Sequence, residues 1–203
     1  MVAHHSPGRF RSPLTWLAAA LVLALVVGCE RKLPNGHVAP RAPVQEDLQP
    51  AGEPIHVRDY TLTPLARFRV TARVLGAMRY RFDREARLAP VDLALGWGPM
   101  SDNHVLEDLH IMQMARYYMW SGRELPLEPE QITVNSANMH MIPANAAVRR
   151  TLLRVHKHDV VEFTGYLVSI RADDGWVWSS SMNRRDSGGG ACEVVWVDSL
   201  TAC

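Results

Sequence analysis

Ser136, Asn138 and His140 stand at alternate positions in one short run, with a carboxylate upstream at Asp92. Serine, imidazole and aspartate are the parts of an acyl-transfer site, so the spacing has to be tested. In an extended run all three side chains share one face, but residues four apart lie roughly 13 Å from each other, and Ser136 cannot pass its proton to His140. A helix would bring them within one turn, yet the composition before Pro143 is that of a strand. The expectation is a polar stripe on one sheet face with Ala137, Met139 and Met141 packed beneath. A different route to chemistry is assembly by folding: Asp92, His140, Arg185, Asp186 and Glu193 would make a small enzyme site if they converge in a cleft.

Methionines raise a second chemistry. Met112-Gln113-Met114 and Met139-His140-Met141 each put two thioethers on one strand face, and soft thioethers with imidazole select Cu(I). Thioethers also fill apolar cores well, and that is the expected role. His156-Lys157-His158-Asp159 offers imidazoles at a turn with no third ligand group near in sequence, so no metal and no other cofactor is expected. Trp176 and Trp178 share one strand face, and Arg184, Arg185 and Asp186 follow before the glycine-rich loop at Gly188. Flat rings and guanidinium forks recognise sugars, peptides and nucleobases alike. Trp176, Trp178, Arg185 and Asp186, together with Asp92, Trp97, Ser136, Asn138, His140 and Glu193, form the expected ligand surface; the competing reading is that the two tryptophans plug the end of a barrel.

The elements that must carry these residues read mainly as strands. Phe68 to Val74 alternates apolar residues with Arg69, Thr71 and Arg73, the period-2 pattern of a half-buried strand, with Arg67 completing an outward, solvated arginine stripe. Extended segments are expected over Leu88–Gly98, Met112–Trp120 and Val134–Ile142. Ser101 or Asp102 caps a short helix, and Asn145 caps another over Ala146–Val155 with Val148, Leu152 and Val155 on one face. A strand over Asp159–Arg171, a turn at Asp173-Asp174-Gly175, a strand over Trp176–Met182 and a last strand over Glu193–Asp198 complete the chain. About six strands with two short helices give an α+β, mainly β class, a curled antiparallel sheet or a partly open OB-like barrel in which Gly165 permits a sharp coil.

Charge and the amino terminus bound the function. With 22 Lys plus Arg against 21 Asp plus Glu, the basic excess that marks a nucleic-acid binder is missing. Arg9 and Arg11 precede an uncharged, largely apolar run from Leu14 to Val27, the length of a signal h-region and short for a membrane span. It ends in Val26-Val27-Gly28-Cys29, which resembles the lipobox of bacterial lipoproteins. The resemblance implies that Cys29 receives a diacylglyceryl thioether, that the chain is cut before it, and that the new amino terminus is acylated. Several acyl chains, at about 0.8 kcal/mol per buried methylene, anchor stably where one binds only reversibly. Glu30, where aspartate would be the better-known inner-membrane retention signal of that family, favours the outer membrane.

Five prolines between Glu30 and Pro54 predict a tether, so the expected organisation is a signal over 1–28, a lipidated cysteine and Pro-rich tether over 29–55, and one globular domain over 56–203. Pro90-Val91-Asp92-Leu93-Ala94-Leu95-Gly96-Trp97-Gly98, Ser136-Ala137-Asn138-Met139-His140 and Gly190-Ala191-Cys192-Glu193 resemble recurring phrases of a proteobacterial family of uncharacterised envelope proteins, a likeness that implies a shared fold and no particular chemistry. The function expected from these readings is a non-catalytic binding or accessory module at the periplasmic face of an envelope membrane. Its partners would be the bilayer, through acylated Cys29, and an envelope protein or small ligand. A small envelope enzyme and, behind it, a Cu(I)-binding protein are the alternatives. Cys192 and Cys203 are expected unpaired, Cys192 as a packed thiol and Cys203 on a mobile tail, because a strand between them sets its ends too far apart for a disulfide. Cys29→Ala should abolish incorporation of a clickable fatty acid and leave an uncleaved or mislocalised precursor; equal labelling of variant and wild type would sink the lipidation reading.

Overall fold

The computed structural model describes residues 35–186, 188 and 190–203, so the signal and Cys29 lie outside the described residues. Leu33–Cys203 is one compact unit. Its sheet is built from β1 (Val44–Asp47), β2 (Ile55–Val57), β3 (Tyr60–Arg79), β4 (Val91–Gly96), β7 (Ser136–Pro143), β8 (Val160–Ala172), β9 (Val177–Ser179) and β10 (Glu193–Ala202), while β5 (His110–Met114) and β6 (Tyr117–Ser121) form a separate hairpin. Three short α-helices lie between strands: α1 (Asn103–Glu107), α2 (Pro129–Val134) and α3 (Ala146–Leu152). Among the described residues no helix is long and apolar enough to cross a membrane.

The class is α+β, mainly β, and the sheet closes on itself. β3 pairs with β4, β4 with β7, β7 with β10, β10 with β8, and β8 with the first two-thirds of β3, a five-stranded ring of OB-like type. The sheet is mixed rather than wholly antiparallel, because β7 and β10 run parallel, from Glu193 opposite Met139 to Val197 opposite Pro143. Alternation sets the inside: Ala66, Phe68, Val70, Ala72 and Val74 of β3, Leu93 and Leu95 of β4, Met139 and Met141 of β7, Val161 and Phe163 of β8 and Val195 of β10 pack together. Asn145 caps α3 through its side-chain oxygen, which accepts from the backbone N–H groups of Ala147 and Val148, and Val148 and Leu152 join the same core. α3 follows directly on Pro143, and Ala144 N–H donates to Val197 C=O, so the helix sits at the far ends of β7 and β10.

Several expectations need correction. The Pro-rich stretch is not a free tether from Ala39 onward: Ala39 is buried, its N–H donates to Ser101 Oγ, and β1 pairs with Ala66–Arg69 of β3. Backbone pairing of this kind is invisible to a reading of composition. Arg73 does not belong to the solvated arginine stripe; it is buried, donating to Ser101 C=O and Asn103 Oδ1, whereas Arg67 and Arg69 are exposed. Met112–Trp120 is a hairpin rather than one strand, turning at Ala115 and Arg116, which both adopt positive φ without the Asn or Gly that usually marks such a turn. Val134 ends α2 rather than opening a strand. Cys203 is held in the sheet, exchanging both backbone hydrogen bonds with Val160. Cys192 and Cys203 are both free thiols, at opposite ends of β10.

Gly165 lies opposite Val197, where β10 bulges between Val197 and Ser199, and a Cβ there would come within 1.8 Å of the Trp196 carbonyl oxygen. Two backbones meet, so no side chain can yield. Gly165→Ala should lower stability by about 3 kcal/mol, or roughly 6–12 °C in Tm; melting at the wild-type temperature would show that the bulge relaxes freely.

Candidate functional site

The outward face of β4 and β7 is where an OB-like barrel commonly meets ligands. Here the protein covers it with its own β5–β6 hairpin. β4 is buried on both sides, Asp92 and Ala94 as fully as Leu93 and Leu95. Ile111, Tyr118 and Trp120 pack a small second core with Leu75, Ala94, Met100 and Ile132. Gly76 lets Gln113 approach the sheet, and the Gln113 amide donates to Asn138 Oδ1 at 2.8 Å.

Arg116, at the hairpin turn, fastens this cover. Its guanidinium donates to Asp92 Oδ1 at 2.8 Å, to both oxygens of Asp83 and to Ala89 C=O, and it lies 4.0 Å from the centre of the Tyr80 ring. Its N–H donates to Tyr80 Oη, and its C=O accepts from Asn138 Nδ2. Burial pulls the guanidinium's pKa down, but the Asp83 hydrogen bond and the charges of Asp92 and Asp83 outweigh it and hold the group firmly cationic. In return Arg116 holds the Asp83 carboxyl below its usual range.

His140 joins this cluster. Its Nδ1 lies 2.9 Å from Asp92 Oδ1 without the alignment of a hydrogen bond, and neither Nδ1 nor Asp92 Oδ2 has a hydrogen-bond partner. Its ring packs at a tilt against Trp178, with centroids 4.8 Å apart, Trp178 packs at a tilt against Trp176, and Trp176 meets Tyr60 edge-on with Arg84 above it. Trp176 and Trp178 therefore roof the outer wall of the barrel and neither plug its end nor line its cavity.

A cavity of about 350 Å³ opens beside the cover, between Tyr117–Trp120 of β6, Ser136–Asn138 of β7 and Arg184, Asp186, Cys192 and Glu193. Its walls are largely apolar, and most of its polar groups are satisfied. Tyr118 Oη donates to Ser136 Oγ, which donates to Ile132 C=O, and Asp186 accepts from Ser181 Oγ at 2.6 Å. Burial pushes the Tyr118 phenol up to about 12 and the Cys192 thiol up to about 11, so neither supplies an anion near neutrality. Glu193 is the exception: it is buried, and Oε2 has no partner. Burial pushes its carboxyl up to about 7, opposed by the charge of Arg184.

Of the residues expected at a ligand surface, Ser136, Asn138, Asp186 and Glu193 meet at this cavity. Asp92, His140, Trp176 and Trp178 form the neighbouring cluster, and Asn138, which lines the cavity, hydrogen-bonds to Gln113 and Arg116 of the cover beside that cluster. Trp97 lies in the barrel core with its indole N–H donating to Val134 C=O. Arg185 is exposed and pairs with Glu130. The proposed enzyme set is thus not assembled: His140 meets Asp92 alone, and the register places Glu193 on the inner face with Met139 while His140 faces out. Met139 and Met141 are buried in the core, apart from the exposed Met112 and Met114, and no cluster of metal-binding His, Cys, Asp or Glu exists among the described residues. Arg116 and Tyr118 were not anticipated, nor was the place of Gln113 and Cys192 in the site; a lone Arg at an unmarked turn carries no sequence signal. The chain matches no known protein family, no curated protein and no solved structure.

Glu193 links the cavity to pH. Its ordinary carboxyl pKa of 4.5 is raised to about 7 on folding, so between these values the folded chain keeps a proton that the unfolded chain releases. Stability therefore falls as pH rises from about 4.5 to 7 and levels off above, by about 3 kcal/mol from this group. Glu193→Gln should match wild type in urea denaturation near pH 4.5 and exceed it by that order at pH 8; a difference independent of pH would refute the assignment.

Proposed function

We propose that the protein is a lipoprotein anchored by acylated Cys29 at the periplasmic face of an envelope membrane, the outer in preference to the inner, and that its domain is a non-catalytic binding module. Val26-Val27-Gly28-Cys29, Glu30 and the phrases resembling the envelope-protein family support the address. The binding reading is carried by one observation: an apolar-walled cavity of about 350 Å³ has a buried carboxyl at its side with an unpartnered oxygen. Ligand sites are commonly concave, mostly apolar and furnished with a few convergent polar groups, and this volume suits a small molecule better than a protein surface. The near-neutral charge balance speaks against nucleic acid as a partner. An enzyme reading loses support because His140, Arg185 and Glu193 face three different surroundings.

Native mass spectrometry of the protein extracted from membranes tests the reading. Wild type should carry a small-molecule adduct that is lost when the cavity is filled by Ala137→Phe or, independently, by Ala191→Trp, in variants with wild-type circular dichroism. Bare wild-type protein, or an adduct that survives both substitutions, would count against the cavity as the binding site.

A further inference from the structure

The chemistry of the cavity goes further and names a class of occupant; the inference rests on the binding reading just given. Three charged side chains line the cavity, Arg184, Asp186 and Glu193. Arg184 is engaged elsewhere: its guanidinium lies 5.4 Å from the centre of the Phe68 ring and donates to Gln45 Oε1, and among the described residues it makes no ion pair. With Glu193 ionised the lining therefore carries one negative charge in excess. Ser136, Asn138 and Tyr118 have spent their hydrogen bonds on the protein, as has one oxygen of Asp186. Among the described residues that line the cavity, Glu193 alone carries a fully buried side-chain atom without a hydrogen-bond partner, its Oε2.

An occupant must then bring a donor to an acceptor. An anion would meet Arg184 but also Glu193 and Asp186, and the net negative lining would repel it. A neutral alcohol could donate, but it would leave a buried carboxylate uncompensated, whereas a cation compensates it. The walls agree, since Tyr117, Tyr118 and Trp120 offer aromatic faces and Met119 a thioether, surfaces that attract cations and apolar bodies alike. We propose that the cavity is a receptor site for a small organic monocation, an ammonium group carried on an apolar body, with Glu193 as its counter-ion.

The proton balance gives the proposal a signature. Below pH 7 Glu193 holds a proton, which must leave for solvent when the ammonium enters. The other titratable and charged groups of the lining are Arg184 and Asp186, whose charges oppose each other at Glu193, Cys192 beside it and Tyr117 and Tyr118 from β6, and burial keeps Tyr118 and Cys192 neutral through this range. An aliphatic amine stays protonated to about pH 10. Affinity should be level between about pH 7.5 and 9 and weaken about tenfold per pH unit below 7, one proton being released per amine bound.

Isothermal titration of the full-length lipidated protein in detergent tests this with phenethylamine, 2-phenylethanol and 3-phenylpropionate, and with Nα-acetyl-lysine amide to separate a free amine from a lysine side chain as the source. Phenethylamine or the lysine amide should bind with the stated pH profile, the alcohol and the carboxylate at least tenfold less tightly, and Glu193→Gln should lose at least tenfold for the amine alone while keeping its circular dichroism. Asp186→Asn, which lowers the negative charge of the lining while leaving the Glu193 carboxyl in place, should weaken the amine more mildly. Tighter binding of 2-phenylethanol or 3-phenylpropionate than of the amines would overturn the cation and leave the cavity standing. Silence from all four probes would overturn both, and an amine affinity that Glu193→Gln leaves unchanged would remove Glu193 from the site.

Discussion

The contact between Arg116 and Asp92 is the one on which the outer half of the molecule depends. Asp92 sits on β4 with its side chain 1 % exposed, and an unmatched carboxylate so deep would cost several kcal/mol. Arg116 supplies the matching charge from a hairpin turn with positive φ, a conformation that costs of order 1 kcal/mol or more at a residue other than glycine. The turn persists because side chain and backbone are both committed, to Asp83, Asp92, Ala89 and Tyr80 on one side and to Asn138 on the other. Charge and strain thus stabilise each other. Removing the arginine would strand Asp92, and removing Asp92 would leave the turn without its inner anchor.

Once that clamp is closed, the location of the cavity follows. A hairpin lying on β4 and β7 removes the open wall on which OB-like barrels usually receive ligands, and fills it with Gln113, Tyr118 and Trp120. α3 occupies the far ends of β7 and β10. What remains is the near end of those strands, where β6 overhangs Ser136–Asn138 and the chain returns through Arg184 to Glu193. The cavity is the space left over when a barrel is covered on one wall and capped at one end. Asn138 belongs to both regions, so any ligand touching it would also touch the group that holds the Arg116 carbonyl.

The sequence was most legible where periodicity and local chemistry coincide. Phe68–Val74 alternates as the barrel wall alternates, Asn145 caps its helix, Gly165 marks the coil, and the stripe of Ser136, Asn138 and His140 lies on one face over Ala137, Met139 and Met141. It was least legible where a partner distant in sequence decides the outcome. Nothing around Arg73 announces that Ser101 and Asn103 will bury it, nothing in a proline-rich run announces β1, and Ala115-Arg116 carries none of the residues that favour its turn. The site divides in the same way. Its polar residues could be picked out by type, but which of them share a cavity depends on whether a strand presents them inward or outward, and on a cover that only the folded chain supplies.

The two buried acids of the barrel wall make the contrast that bears on function. Asp92 and Glu193 are both buried, one facing out under the hairpin and one facing in at the barrel's end. Around Asp92 the protein has spent an arginine, a histidine contact and a strained turn. Around Glu193 it has spent less: the carboxyl has its own backbone N–H and the charge of Arg184, which gives its hydrogen bond to Gln45, and Glu193 Oε2, like Asp92 Oδ2, stays without a hydrogen-bond partner. A fold selected for stability alone would gain from glutamine or an apolar residue at that position, since burying a carboxyl without a partner costs free energy at neutral pH. The same barrel supports the expensive arrangement at Asp92, so partnering an acid is within its reach. Leaving Glu193 without an ion pair of its own, and its Oε2 without a donor, at the edge of an apolar cavity is a cost that something outside the chain would offset.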